Sequence, residues 1–462
     1  MSREELSKLP AVGKLVNTPE FQELIKRHGR VLVTDAIRKA VDFARSEILA
    51  GRAKPDISAS SVEEWIAELT RLSLRDVINA TGVVIHTNLG RAPLAPLAQK
   101  AVAHVAYGYS SLEFSLKTGK RGSRHDHVED LLRTLLNVPN AIALNNCAGA
   151  VFVSLAAICK AKEVIIARGE LVEIGGGFRV PDIMTESGAI MKEVGTTNRV
   201  HLRDYENAIT ENTAAILVVH RSNFAILGFT AHPGVAALSD LAKKHKIPLI
   251  VDVGSGLIAE YDIFGEAGKQ LSDEPRPQDV LSQGADLVMF SGDKLLGGPQ
   301  SGIIAGTEEL VAKVRSHPLA RALRMDKLGL AALEATLMLY RDGKTHEIPV
   351  IRDLSATAED IKGRAIELHR LLTHTFSDLS VQVEKGDSVV GGGSLPLVRL
   401  PTYLVTITSQ SHSAESLSAR LRTTRPALIA RTVDDKVTLD LRSIPSTSFS
   451  MLIEIMHECL SM

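Results

Sequence analysis

Cysteine is scarce in this chain of 462 residues: only Cys147, Cys159 and Cys459 are present. Their spacing fits neither a disulfide framework nor a metal site, which excludes a cystine-stapled secreted module and predicts a reducing, cytoplasmic setting. Aromatic residues make up 4% of the chain, with one tryptophan, Trp65. Few positions can therefore offer a ring face to a flat ligand. Charge of either sign is not in excess, since the formal net charge is −1. That balance gives no global pull toward nucleic acid or anionic membrane, so an RNA site must be local. Long uncharged apolar runs are missing, and the first residues, Met-Ser-Arg-Glu-Glu-Leu, carry no apolar signal core. Neither a membrane span nor a secretory leader is expected.

What is present is ordinary globular material, 45% hydrophobic and 23% charged, with enough length for two or three domains. Residues 1–75 read as a helical module. Apolar spacing predicts helices over 19–28, 33–50 and 61–72, the second capped by Thr34 or Asp35 and stopped by Gly51. Lys26, Arg27, His28, Arg30, Arg38, Lys39, Arg45, Arg52 and Lys54 make the module locally basic, diluted by Glu20, Glu23, Asp35, Asp42 and Glu47. By charge alone this reads as a solvated helical face.

Residues 76–344 read as a large domain. Strands are predicted at 141–145, 163–167, 191–194, 214–219, 248–252, 286–290 and 301–305, with helices at 149–160, 203–210 and 235–245 between them. That alternation implies an α/β fold with a mainly parallel sheet, whose ligands gather at the carboxyl ends of the strands. Glu173-Ile-Gly-Gly-Gly-Phe-Arg179 is glycine-rich but lacks dinucleotide spacing, so it reads as an interface or active-site loop. Residues 345–462 form a smaller α+β domain with a helix at 355–376 and strands at 380–384, 403–408, 427–431 and 437–441. Gly391-Gly-Gly-Ser-Leu-Pro396 reads as a loop.

The chemistry concentrates in Asp286–Gly306, a strand, a polar turn carrying Lys294, a Gly-Gly-Pro turn and a second strand. A lysine between two apolar runs packs poorly as an ammonium, but it suits an amine that forms a Schiff base with an aldehyde cofactor. Upstream, the apolar run Pro248–Val251 ends on Asp252, an acid placed to face a pyridinium nitrogen. Ala143-Leu-Asn-Asn-Cys-Ala-Gly-Ala-Val-Phe-Val153 reads as a strand, a small-residue turn and a helix start, where Cys147, Ala148 and Gly149 offer amides to a phosphate. Ser291 adds a hydroxyl. This ordered trio points to pyridoxal 5'-phosphate. His86 and His220 read as hydrogen-bonded core histidines.

Several longer motifs carry a resemblance. Asn79-Ala-Thr-Gly-Val-Val-Ile-His-Thr-Asn-Leu-Gly-Arg91, Arg168-Gly-Glu170, Gly195-Thr-Thr-Asn-Arg199, Phe290-Ser-Gly-Asp-Lys-Leu-Leu-Gly-Gly-Pro-Gln300 and His317-Pro-Leu-Ala-Arg-Ala-Leu-Arg-Met-Asp-Lys327 resemble bacterial selenocysteine synthases, the L-seryl-tRNA(Sec) selenium transferases. The resemblance runs along essentially the whole chain. It implies a type I, aspartate-aminotransferase-like pyridoxal-phosphate fold, and a ring-shaped homodecamer of five dimers with active sites at dimer interfaces. The basic N-terminal module would then hold the tRNA, and Thr196, Thr197 and Asp204 would lie between dimers, with Phe224 where relatives carry tyrosine.

The implied reaction takes seryl-tRNA(Sec) through an aminoacrylyl-tRNA to selenocysteinyl-tRNA(Sec), with selenophosphate as donor. Lys294 would remove the α-proton, and Asp252 would keep the ring nitrogen protonated. Arg91, Arg321 and Arg324 would grip the selenophosphate, the last two from one face of a helix. Asp293 would orient Lys294 or the substrate, and Asn223 would meet the cofactor's phenolic oxygen. The ring-stacking residue is left open, because Glu173 lies near its place. A pyridoxal-phosphate lyase acting on a small amino acid or amino sugar phosphate is the rival enzyme, and a non-catalytic RNA-binding scaffold is the rival outside enzymes.

Overall fold

The computed structural model describes residues 6–51, 56–391 and 393–461. Arg52 and Lys54, counted among the basic residues, and Gly392 of the glycine loop lie outside the described residues. The chain divides into two compact units, Met1–Asp76 and Val77–Met462.

In the first unit, helices span Val12–Val16, Pro19–His28, Arg30–Leu49 and Ala59–Thr70. The third begins earlier than the sequence predicts. Gly29, at φ 85°, turns the chain between the second and third helices, a conformation open to glycine at little cost. Thr34 and Asp35, expected as caps, therefore sit inside the helix, where the Thr34 hydroxyl donates to the Arg30 carbonyl oxygen at 2.7 Å. Gly51, at φ 75°, does follow the helix end. Phe21, Leu24, Val33, Ile37, Val62 and Ile66 close a small core, and the Phe43 and Trp65 rings meet at 5.8 Å.

The second unit contains strands β1 (Val77–Ala80), β2 (Phe114–Ser115), β3 (Lys120–Arg121), β4 (Asn140–Leu144), β5 (Glu163–Ala167), β6 (Glu173–Ile174), β7 (Phe178–Arg179), β8 (Ile190–Val194), β9 (Thr213–Val219), β10 (Leu249–Gly254), β11 (Leu287–Ser291), β12 (Gly302–Gly306), β13 (Leu379–Ser388), β14 (Leu400–Ser409), β15 (Ala427–Val433) and β16 (Lys436–Asp440). Seven of them build one sheet in the order β4-β12-β11-β10-β9-β5-β8. From β8 to β11 the neighbours are parallel, and β12 runs antiparallel to both β11 and β4.

Alternate residues of these strands feed two cores, as the period of two requires. Ile165, Ile216, Val251 and Val288 pack on one face, and Val164, Leu217, Ile250 and Leu287 on the other. Burial on both faces explains why the strands read as continuous apolar runs. Gly302 lets β12 enter beside β4, since a Cβ there would lie 2.2 Å from the Asn146 carbonyl oxygen.

A second sheet has the order β1-β15-β16-β14-β13. Its core includes residues of the Ala358–Thr375, Ala414–Leu421 and Phe449–Ser461 helices. β1 pairs in parallel with β15, so Val77–Ala80, assigned from the sequence to the large domain, completes the C-terminal sheet. No local pattern announces such a distant pairing. Among the described residues, no helix is long and apolar enough to cross a membrane.

Candidate active site

The carboxyl ends of β4, β10 and β11 open on one cleft of about 190 Å³. Cys147 and Ala148 line it from the helix start after β4, Asp252 from β10, Ser291 and Lys294 from the end of β11 and the turn beyond, and Arg91 from the segment after β1. Six residues singled out in the sequence thus meet in one place. Gly256, at φ 71°, allows the β10 turn to pass the β11 end, because a Cβ there would sit 2.4 Å from the Ser291 carbonyl oxygen.

The helix Cys147–Ile158 is capped by Asn146, whose side-chain oxygen accepts from the Gly149 N–H at 2.7 Å. Gly149, expected to serve a phosphate, therefore has its amide occupied. The Cys147 and Ala148 amides belong to the first turn, which has no intrahelical acceptor, and an anion is favoured there. Asp252 is 8% exposed. Burial pushes its carboxyl up to about 6, opposed by the Lys294 ammonium, the Gly254 N–H and the Cys147 thiol. That thiol donates to Asp252 Oδ1 at 3.9 Å, and burial holds it well above its ordinary range. Lys294 is also 8% exposed, and among the described residues no hydrogen bond or ion pair engages its amine.

Asp293 does not hold Lys294. One carboxylate oxygen accepts from Arg91 Nη1 at 2.6 Å and the other from Ser291 Oγ at 2.7 Å. The Ser291 hydroxyl is thereby engaged by Asp293, while Ser291 still lines the cleft. Arg91 adopts a left-handed backbone, φ 62°, a cost that non-glycine residues bear mostly where the surroundings fix them for function. The Asp293 ion pair is one such restraint.

Three expected residues lie elsewhere. Asn223 is exposed, and its side-chain amide donates to the Glu173 carbonyl oxygen at 2.8 Å. Arg321 and Arg324 do not share a helical face, because the helix Pro318–Ala322 ends between them. Arg321 is exposed. Arg324 donates to the Arg321 carbonyl oxygen at 3.0 Å and to Glu113 at 3.1 Å.

Other residues join the cleft that spacing did not identify. Gln300 is one. The Glu173–Arg179 segment folds as a hairpin of β6 and β7, with Glu173 exposed and paired to Arg179 at 2.7 Å. Ile174, Gly175 and Phe178 of this hairpin line the cleft. Period-two alternation places Ile174 opposite Glu173 and was the available signal. His86 and His220 differ from the hydrogen-bonded reading, since each leaves a buried Nδ1 without a hydrogen bond.

These residues fit pyridoxal phosphate. A buried, unpaired amine is relieved by linkage to an aldehyde, a buried acid with a raised pKa is matched by a ring N–H⁺, and a helix start suits the phosphate.

Residues 77–445 match the family model described as L-seryl-tRNA selenium transferase, and residues 6–45 match the one described as Selenocysteine synthase N terminal. The L-seryl-tRNA(Sec) selenium transferase of Carboxydothermus hydrogenoformans is 45% identical over 445 residues, covering 95% of this chain and 94% of that protein. The enzyme of the same name from Geobacter sulfurreducens is 43% identical over 463 residues, covering 98% and 99%. Among solved structures, D-glucosaminate-6-phosphate ammonia-lyase matches with a TM-score of 0.58 at 20% identity, over 88% of this chain and 98% of that one, a likeness of fold. The fold is the type I pyridoxal-phosphate-dependent one and the family's cofactor is pyridoxal phosphate. Matched along almost its whole length in sequence, the chain belongs to the L-seryl-tRNA selenium transferase family.

Proposed function

We propose that this chain converts L-seryl-tRNA(Sec) to L-selenocysteinyl-tRNA(Sec) with selenophosphate as the selenium donor. The conversion is the one its family is named for; the donor, the residue roles and the assembly are our assignments. The observation that carries the reading is the gathering of Lys294, Asp252 and the Cys147–Ala148 helix start in one cleft.

Pyridoxal phosphate, when bound, supplies an electron sink for the negative charge left at the serine α-carbon. Lys294 would hold it covalently, Asp252 would face its ring nitrogen, and the Cys147 and Ala148 amides would take its phosphate. Lys294 Nζ, freed when the serine amine takes its place, accepts the serine α-proton, and the resulting ammonium returns a proton to the departing β-hydroxyl. Asp293 keeps Arg91 at the cleft mouth, where its guanidinium grips an oxyanion of the incoming donor. Arg321 and Arg324, outside their own chain's cleft, are assigned to the cleft of a neighbouring copy in a homodecamer. The first unit, with its basic helices, is assigned to the tRNA, and the setting to the cytoplasm.

The purified chain with pyridoxal phosphate, seryl-tRNA(Sec) and selenophosphate is expected to yield selenocysteine on hydrolysis of the tRNA. Lys294→Ala should abolish the borohydride-trapped link to the cofactor and cut turnover by ~10³-fold or more. Deamination of an amino sugar phosphate, with no selenium on tRNA, would replace this reading with a lyase.

A further inference from the structure

The reaction as described leaves unused an ion pair at the end of β9. Glu170 ends the short helical turn Arg168–Glu170 after β5 and is 3% exposed. Its Oε1 lies 2.5 Å from Nε2 of His232, and its Oε2 accepts from the Val219 N–H at 3.3 Å. The other ring nitrogen of His232, Nδ1, lies 2.7 Å from the Pro233 carbonyl oxygen. A carbonyl oxygen only accepts, so Nδ1 carries a hydrogen. Nε2 faces a carboxylate oxygen, which when ionised also only accepts. Both nitrogens are then donors, and the ring is an imidazolium.

This pair fastens an irregular segment. Residues 220–230, between β9 and His232, form neither helix nor strand. At the start of the segment, the His220 N–H donates to the Asp252 carbonyl oxygen at 2.8 Å, and Val219 just before it pairs with Asp252 across β9 and β10. In the middle, Asn223 donates to the carbonyl oxygen of Glu173, the first residue of the hairpin whose Ile174 and Phe178 line the cleft. Near the end, the Phe229 carbonyl oxygen accepts from Asn198 Nδ2 at 2.6 Å and from Arg199 Nε at 3.1 Å. Glu170 thus grips both flanks of the segment, the Val219 amide on one side and the His232 ring on the other.

The groups facing His232 are Glu170, Arg221 and the Pro233 carbonyl, and Tyr205 of the Leu202–Ala208 helix faces Glu170. Burial weakens the hold of His232 on its proton, but the Glu170 carboxylate and the Pro233 carbonyl outweigh burial and Arg221 together. The net direction is upward from the ordinary 6.5. The pair's contribution is therefore complete below 6.5 and is lost as pH rises through the raised value.

We propose that Glu170 and His232 are positioning residues for the cleft: the protonated ring ties the 220–230 segment to Glu170 and so holds the Asp252 strand end and the cleft-lining hairpin in place. When the ring releases its Nε2 proton to solvent, a lone pair meets the carboxylate oxygen, the pair parts and the segment loosens. The tie rests on the contacts alone and stands whatever the substrate.

The test follows hydrogen exchange of the full chain by mass spectrometry from mildly acid to mildly alkaline pH, with each rate corrected for intrinsic exchange. Peptides covering 220–230 and 173–179 should lose protection severalfold as pH rises past the ordinary histidine range, and β11 should not. His232→Gln keeps a side-chain donor but does not titrate, so it should flatten both profiles. Diethylpyrocarbonate, which attacks only the unprotonated ring, reads His232 itself in the parent. Its modification should set in above the ordinary range, together with the loss of protection. Flat protection in the parent overturns the proposal, as does a pH dependence that His232→Gln retains. Loss confined to 220–230, with the hairpin unchanged, overturns the positioning role. Modification of His232 with an ordinary midpoint overturns the proposal even if the variant does not fold.

Discussion

Asp252 holds an acid out of water near the carboxyl end of a buried strand, and that placement has a measurable consequence before any cofactor arrives. Burial lifts its carboxyl to about 6 from an ordinary 3.8. Between those values the folded, cofactor-free protein binds a proton that the unfolded chain has released. Its stability must therefore fall as pH rises through that window. The contribution is on the order of 2–3 kcal/mol. Denaturant unfolding of the cofactor-free protein at the two ends of the window should show this loss in the parent and lack it in Asp252→Asn. Bound pyridoxal phosphate should cancel it, because a protonated ring nitrogen favours the carboxylate. A cofactor-free Asp252→Asn protein as pH-sensitive as its parent would contradict the burial argument. Lys294 and Asp252 were legible as residues because an isolated charge at the end of an apolar run is poor packing. His232 was not, since nothing in Ala231-His232-Pro233 distinguishes an ion-paired ring from a solvated loop.

At the scale of elements, every strand of the large sheet falls within two residues of its predicted range. Runs such as Pro248–Val251 are buried on both faces and so leave an unbroken apolar trace. The Glu173–Arg179 hairpin was less legible, because two-residue strands carry almost no periodicity and three glycines fit any loop. The Pro318–Ala322 helix misled the reading of Arg321 and Arg324, since spacing alone does not say where a helix stops. The helix start at Cys147 makes its own prediction. Asn146→Ala should lower the stability of the cofactor-free protein by ~1 kcal/mol through loss of the cap. With pyridoxal phosphate bound the loss should shrink, as the phosphate can take the freed Gly149 N–H. Thermal midpoints with and without cofactor check this, and an equal loss in both would place the phosphate elsewhere.

The whole molecule is two compact units, and the proposal divides the labour between them. The first unit's cations are largely spent on exposed pairs, such as Arg38 with Asp35 and Arg45 with Asp42, which are worth little and remain open to phosphates. Among the described residues, Arg30 and Lys39 have no such pair. Replacing both with alanine should weaken tRNA binding and lower its salt slope by about 0.7–0.9 for each phosphate that is no longer neutralised, measured by filter binding across salt concentrations. In the second unit, Tyr107, Tyr109, Leu227 and Phe229 are strongly exposed, side chains that the proposed self-assembly would have room to cover.

The most direct measurement offers the intact chain two substrates side by side, seryl-tRNA(Sec) and seryl-tRNA(Ser), with radioactive selenophosphate. The account predicts selenium on the first tRNA alone, at a level that vanishes in Lys294→Ala. Equal labelling of both tRNAs, or labelling that survives loss of Lys294, would contradict it.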